Sequence, residues 1–272
     1  MSESLPVLFV PHGAPTFALR PGEAGAALVR AAAGLPRPRA IVVVSPHWDT
    51  GSPTVGSARE PETIHDYWGF PAPLYDIRYP APGDPALAGA VGGLLSRAGF
   101  EPRLDPVRGL DHGAWIPLRL MFPAADIPVV PVSIQGSLGP RHHFRLGEAL
   151  APLAEEGVLL VASGNLTHNL RDFQVASGNG SGTPDYVPRF ADWIWDHIAA
   201  GDTDALLDYR QRAPDAVRAH PSEDHLLPLH VALGAAGRGC RAERLHQGVD
   251  SLVLAMDGYA LWPAQGLENR GD

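Results

Sequence analysis

Five short runs of almost unbroken apolar residues punctuate the chain, and they constrain its fold more than any other feature. They lie at residues 6–10, 40–45, 127–134, 158–162 and 251–256. A strand with one wet face alternates apolar and polar side chains, whereas a strand covered on both faces reads as a continuous apolar run. The stretches at 22–35, 84–98, 141–156, 188–200 and 203–212 carry the spacing of amphipathic helices. Asp84-Pro85 supplies the second with an N-cap and a proline at the first helical position, and Pro188 can open the fourth. Strands alternating with helices predict an α/β fold, with a mainly parallel or mixed central sheet flanked by helices on both faces. At 272 residues and 45% hydrophobic content, without a Pro/Gly/Ser-rich linker, the chain reads as one domain over 1–272.

Composition excludes several function classes. All 21 basic residues are arginine and the net charge is -9. The acidic balance argues against nucleic acid or an anionic membrane as partner. The absence of lysine removes Schiff-base chemistry and the P-loop lysine. Cys240 is the single cysteine, so neither an internal disulfide nor a cysteine-based zinc site is available. No apolar run approaches the roughly 18 residues that span a bilayer, and the expected location is the cytoplasm.

The histidines point to chemistry. His12 follows the strand at 7–10, His47 the strand at 41–44, and His168 the strand at 158–162. Such residues converge at the carboxyl edge of a parallel sheet, where α/β proteins place their sites. His112 lies in Leu-Asp-His-Gly-Ala-Trp, ahead of a short apolar helix expected at 115–122. His225 lies in His-Pro-Ser-Glu-Asp-His, where Ser222 is a candidate N-cap that puts His225 in the first helical turn. Pro228 either kinks that helix or marks its true beginning, and His220 either braces the helix start or replaces His225 as a ligand. Neutral imidazole is the commonest metal ligand, and three histidines suit Zn²⁺ or Fe²⁺. His65, His142, His143, His197, His230 and His246 read as surface or supporting residues. Residues 50–82 form a long loop with Tyr67, Trp68, Phe70, Tyr75 and Tyr79. It reads as a pocket wall or as an aromatic plug over one end of the sheet.

Val-Pro-His-Gly-Ala-Pro, Ser-Pro-His-Trp, Tyr-Trp-Gly-Phe-Pro, Asp-His-Gly-Ala-Trp, Ser-Gly-Asn-Leu-Thr-His-Asn and His-Pro-Ser-Glu-Asp-His-Leu-Leu-Pro-Leu occur in that order. Together they resemble the class III extradiol ring-cleavage dioxygenases, 4,5-DOPA dioxygenase branch. The resemblance implies one divalent metal per chain on His12, His47 and His225. It implies His168 as acid/base and His112 as a hydrogen-bond donor facing substrate or dioxygen. It further implies Fe²⁺-dependent opening of a catechol by dioxygen to a muconic semialdehyde, with a DOPA-like substrate. The third histidine, where extradiol enzymes typically use a carboxylate, also suits Zn²⁺. A His₃-zinc hydrolase and a non-catalytic binding protein on the same fold are the competing readings. Arg78 is a candidate receiver for a substrate carboxylate. The catechol's identity and the oligomeric state are not written in the sequence.

Overall fold

Four of the five apolar runs become adjacent strands. The computed structural model describes residues 5–180 and 182–264; the ends of the expected 1–272 domain lie outside them. The strands are β1 (Val7–Pro11), β2 (Ala40–Asp49), β3 (Thr54–Gly56), β4 (Arg103–Asp105), β5 (Val129–Ile134), β6 (Val158–Gly164), β7 (Arg241–His246), β8 (Val249–Asp250), β9 (Leu254–Ala255) and β10 (Gly258–Trp262). Eight form one mixed sheet in the order β4-β3-β5-β2-β6-β1-β10-β7. The central four, β5, β2, β6 and β1, are mutually parallel, and β3 and β10 join them antiparallel.

Alternate residues of the apolar strands serve opposite faces, as period-2 geometry requires. Val42 and Val44 pack with helices Pro85–Arg97, Gly139–Leu150, Tyr186–Ala199 and Leu227–Ala236. Ile41 and Val43 pack with helices Gly22–Ala33 and His112–Met121. The result is a single α/β domain with helices on both faces of the sheet. Helices Gly139–Leu150 and Leu227–Ala236 meet backbone to backbone: a Cβ on Gly234 would lie 1.9 Å from the Phe144 carbonyl oxygen, and one on Gly147 would lie 2.1 Å from that of Val231. This close packing seats the segment that ends in His225. No helix among the described residues is long and apolar enough to cross a membrane.

Several elements differ from expectation. The run at 251–256 is not a strand of the main sheet. Ser251 and Leu252 adopt positive φ, which ends extended backbone, and only Leu254–Ala255 is a strand, paired with β8 in a separate hairpin. Its apolar character reports burial of Val253, Leu254 and Met256 instead. The sheet strand is β10, beside β1. The helix expected at 115–122 starts at His112, because the Asp111 carboxylate caps it by accepting from the Ala114 N–H. The stretch 203–212 splits into Thr203–Leu207 and Tyr209–Arg212. Ser222 does not cap a helix; its hydroxyl donates to Asp224, and His225 sits in the turn before Leu227–Ala236. Pro228, in the first helical turn, marks the beginning.

Candidate metal centre

His12 leaves the end of β1, where its N–H donates to the Gly164 carbonyl at the end of β6. His47 lies inside β2, which continues to Asp49. Between Val44 and Asp49, β2 advances five residues while β5 advances two, from Val132 to Ile134. This irregularity carries His47 out of register and toward β1. His112 opens its helix, and Gly113 behind it leaves room for His47: a Cβ there would lie 2.8 Å from His47 Cδ2. His225 closes on β6, and its carbonyl accepts from Asn165 N at 3.1 Å.

The rings converge. His12, His47 and His112 each offer a nitrogen within 4.8 Å of the others, the geometry of a site for one metal ion. His225 stands 5.3 Å from His12 and 5.0 Å from His47 between ring centroids. The tightest trio thus contains His112 where His225 was expected. His168 stacks on His225 with centroids 3.5 Å apart and planes 3° from parallel.

Hydrogen bonds define which nitrogens face the centre. Ser163 Oγ donates to the Gly113 carbonyl, so it accepts from His12 Nδ1 at 3.0 Å. Asn165 accepts from Gly13 N, so its amide faces His12 Nε2 at 3.3 Å as a donor. Both contacts require the His12 proton on Nδ1 and the lone pair on Nε2. His225 Nδ1 points at Asp224 Oδ2, 3.1 Å away, and its Nε2 is buried without a partner. His47 Nδ1 faces Asp66 Oδ2 at 3.6 Å, and its Nε2 lies 3.2 Å from His12 Nε2. Two imidazoles on one tetrahedral ion with bonds of about 2.0–2.1 Å would hold their nitrogens about 3.3 Å apart. The donor set therefore fits a divalent cation. Burial, followed by the crowding of the other rings, holds His12 and His225 well below the usual imidazole range, and His47 falls to about 4 with burial as the main cause. All three are neutral at pH 7, the form that ligates.

Sequence reasoning missed Asp66. It sits between His65 and Tyr67 in the aromatic loop and accepts from His112 N at 2.9 Å. Its Oδ1 is also 2.9 Å from His112 Nδ1, a close contact at an oblique angle. Burial acts to raise the Asp66 carboxyl, but hydrogen bonds and charge from His112, with His47 assisting, hold it at about 2. The loop packs against both the centre and the core: Tyr67 sets its ring 5.6 Å from His112, while Tyr79 is a core residue bonded to the Phe122 carbonyl. Arg78 turns back on its own loop, donating to the Tyr75 and Ile77 carbonyls. Asn165 and Asn169, the asparagines nearest His168 in sequence, bond elsewhere: Asn165 faces His12, and Asn169 caps helix Leu170–Asn179.

His220 is a brace: its buried ring donates from Nε2 to the Leu166 carbonyl at 2.7 Å. His143 and His230 are buried, not surface residues. His143 donates from Nδ1 to Gly139 O and accepts the Gln135 N–H at Nε2, so protonation would break a bond. Burial is the main reason His143 and His220 both fall to about 3. The unfolded chain takes up protons below the ordinary value of 6.5, which these folded rings refuse, so stability is full above pH 6.5 and drains as pH falls toward 3. Each shift corresponds to something on the order of 4–5 kcal/mol at the acid end, comparable with the whole stability of a typical domain. Metal-free protein is expected to unfold between pH 6 and 4 at about 1.4 kcal/mol per proton per pH unit, read by urea midpoints. Midpoints that stay flat from pH 6.5 to 4.5 would contradict the assignment.

The four parallel central strands carry an imidazole cluster at their carboxyl edge, a site that could hold one metal ion in an α/β domain. Residues 23–258 match the family described as the catalytic LigB subunit of aromatic ring-opening dioxygenase. The chain is 40% identical over 255 residues to a 4,5-DOPA dioxygenase extradiol of Beta vulgaris, covering 92% of this chain and 94% of that protein. It is 40% identical over 238 residues to the 4,5-DOPA dioxygenase extradiol of Escherichia coli (strain K12), covering 86% of each. The crystal structure of uncharacterized protein JW3007 from Escherichia coli K12 matches with a TM-score of 0.76 at 32% identity, over 94% of this chain and 99% of that one. The chain belongs to the LigB family of class III extradiol dioxygenases. It is an extradiol ring-opening enzyme, which sets aside the hydrolase and binding-protein readings.

Proposed function

We propose that the chain holds one Fe²⁺ on His12, His47 and His225 and opens a DOPA-like catechol with dioxygen to a muconic semialdehyde in the cytoplasm. The observation that carries the ligand assignment is the shared tautomer pattern. His12 and His225 have Nδ1 engaged by a neighbouring oxygen, His47 turns Nδ1 toward Asp66, and each leaves Nε2 for the centre; that of His225 is buried and otherwise unpartnered. His112, whose backbone N–H donates to Asp66 and whose Nδ1 faces the same carboxylate, stands beside the ligands. The 4,5-DOPA dioxygenases among the relatives support the substrate class. Zn²⁺ fits the same neutral donors, so occupancy and activity are separate measurements.

Held by His12, His47 and His225, a divalent ion would supply Lewis-acid acidification of the catechol hydroxyls. His168 supplies the proton traffic. Burial lowers it to about 4, so its ring is neutral at pH 7 and can accept a catechol proton, then return it. Stacked flat on His225, it stands beside a ligand without sharing that ligand's nitrogens. Tyr67 meets His112 edge to face, so aromatic surface borders the centre.

Anaerobic loading with Fe²⁺, then oxygen and a panel of catechols, tests the proposal. The expected result is a yellow semialdehyde and one dioxygen consumed per ring opened. No oxygen uptake across the panel, with iron loading verified, would overturn it.

A further inference from the structure

Asp66 is a carboxylate that faces two rings of the centre, and it comes from the aromatic loop, not from the sheet. Its Oδ1 takes the His112 backbone N–H at 2.9 Å and faces that ring's Nδ1 at 2.9 Å, while Oδ2 faces His47 Nδ1 at 3.6 Å. The loop is anchored on both sides of it. His65 Nε2 donates to the Ile77 carbonyl, and the Tyr67 hydroxyl donates to the Leu74 carbonyl. A carboxylate has only acceptors, so a ring nitrogen that bonds to it must carry the proton. At 3.6 Å His47 Nδ1 faces Asp66 without yet bonding to it, and closing that gap would leave Nε2 for the side of His12.

We propose that Asp66 is a positioning residue that sets the tautomer and ring direction of His47 and His112 together, tying the aromatic loop to the metal centre. The inference rests on the ligand assignment proposed above. It assigns to this loop aspartate, one step removed from the ion, the orienting work that carboxylates do behind ligating histidines elsewhere.

Asp66→Asn and Asp66→Ala separate positioning from packing. In Asp66→Asn the amide oxygen must stay on the His112 N–H, because an amide nitrogen cannot accept there. The NH₂ group then confronts His47 Nδ1 and draws the lone pair to that side, putting the proton on Nε2, where it blocks ligation. Asp66→Ala removes the anchor but imposes no wrong tautomer, since water can enter a position whose side chain is 24% exposed. Competition of bound Zn²⁺ against a chromogenic chelator should show a loss of about 10–100-fold in affinity for Asp66→Asn, exceeding the loss for Asp66→Ala. A packing role gives the reverse order, because Asn keeps the shape of Asp and Ala does not. In zinc-loaded wild-type protein, ¹⁵N NMR should find the His47 proton on Nδ1, a reading that needs no variant to fold. An Asn variant that binds as tightly as wild type or more tightly than the Ala variant, or a His47 proton on Nε2, overturns the inference. His12→Ala in the same titration keeps the two readings apart. If it retains zinc, the ligand assignment has failed; if it loses zinc while Asp66→Asn does not, only the role of Asp66 has.

Discussion

His12→Ala and His47→Ala leave the protein without stoichiometric metal and without ring-opening activity. In each case the lost nitrogen is one of the two Nε2 atoms that face each other at 3.2 Å. If a tight site draws about 10–16 kcal/mol from roughly four ligands, one ligand is worth about 3–4 kcal/mol, or about 10²–10³ in affinity. His225→Ala should behave the same way, because Asp224 turns that ring to present Nε2. His112→Ala should instead keep most of its metal and lose turnover. Elemental analysis after dialysis reads all four variants. Full metal in both His12→Ala and His47→Ala would sink the centre as drawn. Metal lost from His112→Ala but kept by His225→Ala would replace His225 with His112, matching the tightest trio of rings.

His168→Gln lowers kcat by about 10²–10⁴-fold, the usual worth of general acid/base assistance, while metal content and fold persist. The ring is neutral at pH 7 and lies against His225. Gln keeps polarity and bulk but cannot take up a proton at neutral pH. The pH-rate profile should therefore change on the limb set by catechol deprotonation, with KM altered less than kcat. Loss of metal from this variant would make His168 a fourth ligand. Full activity would move the base elsewhere, and His112 is the next candidate.

The core strands were legible because burial on both faces writes itself locally: the runs of β1, β2, β5 and β6 are apolar at nearly every position. The same logic misled at 251–256, since an apolar run reports burial and not conformation, and two residues at positive φ turned it away from the sheet. Strands β3, β4 and β7 escaped notice because they lie toward the sheet's edge at β4 or on the opposite edge at β7, and the two outermost carry charged residues. His12 and His168 were readable as residues just beyond apolar strands. His47 lies inside β2 and not just beyond it, because nothing local announces that the strand continues through Ser45-Pro46-His47 with an irregular register.

By itself the sequence determined the α/β class, the exclusion of lysine chemistry and the set of histidines that gather at one edge of the sheet, since each follows from residue type and short-range pattern. Only the tertiary structure decided how those histidines are used. The tautomer of His12 depends on Ser163, 151 positions away, and the His112 backbone is held by an aspartate in a loop that folds over from residue 66. A proton's position on an imidazole is set by whichever oxygen lies within about 3 Å in space, and no local pattern in the chain records that distance.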